Sequence, residues 1–220
     1  MTEKEPNKAM QTTSGQLYLD KDFSVELNFK FWTTKGARFT ASSRLKKINK
    51  LSSYSIGFLS GYMIIIGLLS IFKLNNAQIV SNEQLGFIST GLSILILVFS
   101  QLENANDYAL KADKFHNCAL EISDLYNKLR YLKTNLKSND KINKLAQELS
   151  IEYGNVLKKY ENHESIDFEY FKISKNDYFK MSVWEIFKIK VEYYVRTKLL
   201  YHLLIVAPAL IIYLILKSLN

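Results

Sequence analysis

Three stretches of this chain contain no Lys, Arg, Asp or Glu: residues 51–72, 84–102 and 199–216, of 22, 19 and 18 residues. A bilayer core about 30 Å thick asks for roughly 20 apolar residues per helix, whereas soluble folds rarely make three such blocks. The 29 basic and 21 acidic residues therefore all lie in the remaining 161 of 220 positions. On average the chain resembles a soluble domain, with 48% hydrophobic and 23% charged residues. The segregation of those residues excludes a soluble globular enzyme and predicts an integral membrane protein. Cys118 is the one cysteine, so no intrachain disulfide is expected. The first 30 residues mix Lys, Glu, Asp and Thr without an apolar core, so no secretory signal is expected there.

Charge asymmetry predicts orientation. Residues 31–50 carry Lys35, Arg38, Arg44, Lys46, Lys47 and Lys50 and no acid, while the connection over residues 73–83 has only Lys73 and Glu83. Positive charge retained inside places the N-terminus in the cytoplasm, with that connection outside. Lys180, Lys188, Lys190, Arg196 and Lys198 precede the third stretch and only Lys217 follows it, which agrees. The third stretch holds His202 and Pro208, and its 18 residues reach about 27 Å as a helix, just enough to cross. A re-entrant or surface-lying segment is the competing reading there.

The expected fold is an all-α membrane protein with two closely spaced transmembrane helices and a long cytoplasmic helical hairpin continuing the second. A third, C-terminal transmembrane helix completes it. By segment, residues 1–30 form a polar N-terminal part, disordered over 1–15, and 31–50 a basic cytoplasmic lead-in. Transmembrane helices follow at 51–72 and 84–102, then the hairpin and a juxtamembrane helix over 103–197, and the last helix at 199–216. Within the hairpin, Tyr108, Ala112, Phe115, Ala119, Ile122, Tyr126 and Leu129 recur at steps of four and three, one apolar seam on a helix unbroken from the second span. Ser138, Asn139 and Asp140 read as a turn and helix start, and Ile142, Leu145, Leu149, Val156, Leu157 and Tyr160 make the facing stripe. Periodicity fails from Glu161 to Phe179, read as an ordered connection over the hairpin. From Met181 to Arg196, aromatic and basic residues mix as in a helix near the headgroups.

The basic lead-in with Arg38 and Ala41-Ser42-Ser43-Arg44-Leu45, the two close spans, and the run from Leu92–Ser100 into Glu103, Tyr108, Ala112, His116, Cys118 and Glu121-Ile122 together resemble the SLATT domain family. This is a two-transmembrane effector domain of bacterial defence systems. The resemblance covers about residues 30–200. It implies a pore-forming or membrane-disrupting effector of abortive-infection type in the inner membrane. It also implies a nucleotide second messenger, or a nucleotide synthase, nucleotide sensor or reverse transcriptase encoded nearby, as the source of the signal. The third span departs from the two-span pattern.

Candidate residues follow from spacing. Gly57 and Gly61 form a G-x-x-x-G extended by Ser53, the spacing that lets helices approach closely in lipid, within one subunit or in a homo-oligomer. Such spacing also arises by chance in Gly- and Ser-containing spans. Ser89, Ser93 and Ser100, continued by Glu103 and Asp107, form one polar stripe that could face a cation-favouring pore. Alternatively, the hydroxyls bond to their own helix and the acids are simply solvated. His202, three residues past Lys198, is either a buried functional group or a headgroup-level residue.

Enzyme chemistry finds little support. His116 and Cys118 lie two apart on a helix and point to opposite faces, and His163-Glu164 has no partner set. The eight glycines make neither a dinucleotide fingerprint nor a P-loop. No catalytic residue, cofactor or metal is expected. Residues 103–197 hold 16 basic and 15 acidic residues, so direct nucleic-acid binding is not expected either. Besides the effector, two other readings stay open: a non-conducting membrane scaffold recruiting a partner through the hairpin, and a small transporter subunit.

Overall fold

A computed structural model describes residues 22–71, 81–135 and 139–218, and among them every regular element is helical. The expected disorder of residues 1–15, most of the connection over 73–83, and Ser138 lie outside the described residues. Among the described residues, three helical stretches are long and apolar enough to cross a membrane.

Helix α1, Phe23–Ile71, is the spine, 49 residues and therefore about 73 Å long. It is capped at its start by the Asp22 carboxylate, which accepts the Ser24 amide at 2.8 Å. One seam of its buried positions, Ser24, Leu27, Phe31, Arg38, Ala41, Leu45, Ile48, Ser52, Ser55 and Leu59, keeps to steps of three and four, with Thr34 completing the series half-buried; Thr33, Ala37, Ser42 and Arg44 are buried beside it. The basic lead-in is thus the outer half of a single helix whose inner half is the first span.

Helix α2, Asn82–Ala105, starts on a capping box in which Ser81 and Gln84 satisfy each other's backbone amides. It runs back along α1, with Ser93 against Met63 and Phe99 packed on the cluster that includes Ala41, Leu45 and Ile48. The chain then departs from the single unbroken helix expected from sequence. Asp107 adopts a left-handed conformation (φ 50°), ending α2. Its carbonyl accepts the Lys111 amide and so opens α3, Tyr108–Asn135. Asp tolerates this backbone region better than most residues, which is why the break costs little here.

The expected hairpin of α3 and α4 (Asn139–Lys159) is present but does not close on itself. Leu27 and Phe31 of α1 enter its groove and share one core with Cys118, Ile122, Leu125, Leu129, Ala146, Leu149 and Val156. A second core joins Ala41, Leu45 and Ile48 to Ala112, Phe115 and Tyr201. Rim contacts include Lys159 to Glu121 at 3.0 Å and the Tyr160 hydroxyl to Glu121 at 2.6 Å.

The aperiodic connection contains two short helices, α5 (Ser165–Ile173) and α6 (Asn176–Phe179). They close over α1 through an aromatic cluster: Trp32 meets Phe171 and Tyr178 edge-on and stacks on Phe179. Gly36 makes this approach possible, because a Cβ there would lie 2.2 Å from the Phe171 ring. Helix α7 (Val183–Tyr194), a π-helical turn (Val195–Leu199) and α8 (Leu200–Ser218, containing Pro208) form one run into the third span. Along α2 and α8 large side chains stand outward, as with Phe87 (81% exposed) and Leu95 (66%), which suits lipid as solvent.

Candidate functional site

The residues that join the charged bundle to the spans form a polar junction around α1. At its centre Arg44, 4% exposed, meets Asp167, fully buried. Nε donates to one carboxylate oxygen at 2.7 Å and Nη2 to the other at 3.0 Å, a two-pronged pair. Nη2 also donates to Glu164 Oε1 at 2.7 Å. Glu164 is the N-cap of α5 and Asp167 its third residue, so the local capping box places both carboxylates on α1. Burial pulls the Arg44 guanidinium toward its neutral form, but the two carboxylates more than offset this and hold its pKa above the ordinary value.

The same cluster reaches the third span. Arg196 in the π-helical turn stands 3.9 Å from Glu164, a half-exposed and hence weak contact, and pairs with Glu192 at 2.8 Å. More firmly, Tyr193 of α7 stacks on Tyr170 of α5, ring centroids 4.0 Å apart. Burial, then Tyr170, pushes the Tyr193 hydroxyl up to about 12. Arg38, one turn and a half before Arg44, is 1% exposed. It donates to Asn162 at 3.2 Å and lies 5.3 Å over the Phe115 ring, while its Nε and Nη1 have no partner among the described residues. Burial, then Arg38, holds the neighbouring His163 below the ordinary histidine range.

Toward the spans, hydroxyl bonds take over from ion pairs. The Tyr201 hydroxyl of α8 donates to Glu103 of α2 at 2.9 Å, and Ser55 of α1 donates to the Tyr201 carbonyl at 3.3 Å. Tyr62 donates to the Ile205 carbonyl at 2.7 Å, one residue past the carbonyl whose donor Pro208 lacks. Tyr201 thus ties all three spans together. His202 is bonded to the Tyr194 hydroxyl at 2.9 Å, bridging the π-helical turn.

The stripe residues Ser89, Ser93, Ser100 and Glu103 are half-buried, and Ser93 and Glu103 meet the subunit's own helices. Ser93 donates to the Ser89 carbonyl at 2.6 Å and lies 3.0 Å from the Met63 sulfur. Asp107 does not continue the line: the break after Ala105 leaves it exposed at the start of α3. Ser53 and Gly57 are exposed and Gly61 half-buried, and nothing lies within 4 Å of a Cβ built on either glycine. They line a shallow groove with Tyr54, Phe58, Tyr62 and Ile65. Among the described residues no three His, Cys, Asp or Glu side chains are placed to hold a metal ion.

A family model, the SMODS and SLOG-associating 2TM effector domain family 5, matches residues 20–214. The chain belongs to this family. The match takes in the whole junction and most of the third apolar helix, so that helix is part of the SLATT unit in this chain. No curated protein and no solved structure matches the sequence. Arg44, Asp167 and Glu164 escape a reading of sequence alone. The arginine counts there as an orientation charge and as part of the Ala41–Leu45 run that carries the family resemblance, and the acids sit in an aperiodic stretch. A Glu-x-x-Asp at the head of a short apolar run is the one local signal for the cap.

Proposed function

We propose that this SLATT protein is a membrane effector of a bacterial anti-phage system of abortive-infection type. It sits in the inner membrane with its N-terminus and bundle in the cytoplasm. On an upstream signal, a nucleotide second messenger or a partner encoded nearby, several copies open the membrane as a pore or a disruption. The observation that carries this reading is the uncovered Ser53–Gly57–Gly61 face. The opposite side of the same span, Ser52, Ser55 and Leu59, is already packed inside the subunit. A small-residue face left open in lipid suits close contact with another copy. The clasp of α5 on Arg44 is the element whose release would let the spans rearrange. A signal can drive that change only by binding the open form more tightly.

The test is conductance of the purified chain in planar bilayers, with Glu103→Lys compared with wild type. A conducting oligomer loses cation preference in the variant; absence of conductance in the presence of the complete system sinks the pore. A non-conducting tether that recruits a partner through the bundle is the second reading. It is favoured by one observation: Ser93 and Glu103 already find partners within the subunit.

A further inference from the structure

We propose that α1 holds an anionic phospholipid, its phosphate on the lysine face just outside the first span and an acyl chain on the glycine face below. A groove there is lined by Ser42, Ser43, Lys46, Lys47 and Lys50 of α1 and by His116 of α3. It extends about 12 Å along the helix from Lys50, at 1.5 Å per residue. Lys50 directly precedes the charge-free stretch, so the lower end of the groove lies at phosphate depth. Phe39 meets the His116 ring edge-on, centroids 5.5 Å apart, and fixes it on the wall.

The lysines are poorly neutralised within the chain. Lys46 has Asp113 at 3.5 Å, with both side chains more than half exposed (55% and 67%). Lys47 and Lys50 have no carboxylate within ion-pair distance among the described residues. They lie 5.7 Å and 5.6 Å over the rings of Tyr193 and Tyr54, near the outer limit of a cation–π contact. Their ammonium hydrogens remain for an anionic acceptor, and the exposed Ser43 stands beside them.

What selects a lipid over a soluble anion is the continuation of this face. At about 100° per residue, the basic lining and the lining of Tyr54, Gly57, Phe58, Gly61 and Ile65 centre on the same side of α1. Charge above and a smooth apolar trough below match a headgroup and its chain. An acyl chain in the trough and a second copy of α1 exclude each other, so bound lipid opposes self-association at that face.

The test is native mass spectrometry of the full chain in neutral detergent with phosphatidylglycerol, phosphatidylethanolamine or inorganic phosphate added. Wild type is expected to retain phosphatidylglycerol at least tenfold better than phosphatidylethanolamine. The triple variant K46Q/K47Q/K50Q should weaken that retention about a hundredfold, roughly fivefold per lysine. K46R/K47R/K50R keeps the charge and should keep the lipid, which separates loss of charge from loss of fold. Gly61→Ile fills the trough and should lower retention without abolishing the headgroup preference. Equal retention of the two lipids, an unchanged triple variant, or phosphatidylglycerol stripped by equimolar inorganic phosphate would each overturn the proposal. The readout involves neither conductance nor oligomer size, so its failure and that of the proposed function are distinguishable.

Discussion

The two halves of α1 share one helix and one spacing of buried positions, yet they are held by different forces. In the outer half Leu27, Phe31, Ala41, Leu45 and Ile48 are buried against other helices, and burial of apolar area from water stabilises the contact. The inner half has no such drive, because lipid is as apolar as the side chains. Its seam turns to Ser52, Ser55 and Leu59, and hydroxyls of Ser55 and Tyr62 bond to carbonyls of α8. Polar atoms do in the spans what leucine and phenylalanine do in the bundle. The outer half has polar ties as well, Arg38 on Asn162 and Thr34 on Tyr153, and above all the buried Arg44–Asp167 pair, which fixes where α5 lands.

This contrast can be broken by substitution. The largest effect is expected at Asp167→Ala, which leaves Arg44 charged and buried. A loss of about 3 kcal/mol, the low end for a broken buried pair because Glu164 still meets the guanidinium, should appear in denaturant unfolding of the helical signal. The double variant Arg44→Met/Asp167→Leu should recover much of it, and a loss as large as the single variant's would mean the pair is more than a local clasp. Next comes Gly36→Ala, where the new methyl meets the Phe171 ring and should cost about 1–3 kcal/mol. In the membrane half, Tyr62→Phe removes one hydroxyl–carbonyl bond and should cost only about 0.6 kcal/mol. Smallest is Gly57→Ala, which meets nothing within 4 Å and should leave the stability of the isolated subunit unchanged. A loss there equal to that of Gly36→Ala would erase the distinction between the covered and open glycines.

The spans and the α3 and α4 stripes were legible because charge exclusion and the three-four apolar spacing are strong local patterns. The matching seam of α1 was hidden by its residue types. Ser24, Thr34, Arg38, Ser52 and Ser55 occupy positions where an apolar residue would have revealed it. Arg38 and Arg44 read as orientation charges and as part of the basic run behind the family resemblance, and only the fold brings Asn162, Glu164 and Asp167 to them. The break at Asp107 is one left-handed residue within an otherwise continuous pattern, and nothing in the flanking periodicity marks it. The direction of the Ser89–Glu103 stripe was also beyond reach, since a stripe has a face but a sequence does not say what stands opposite.

The most direct test of the effector account is the membrane potential of bacteria carrying this chain with its genomic neighbours, followed through phage challenge. The account predicts that the potential holds before infection and collapses after it, and only when the chain is present. A potential that stays intact in the complete, challenged system would contradict it.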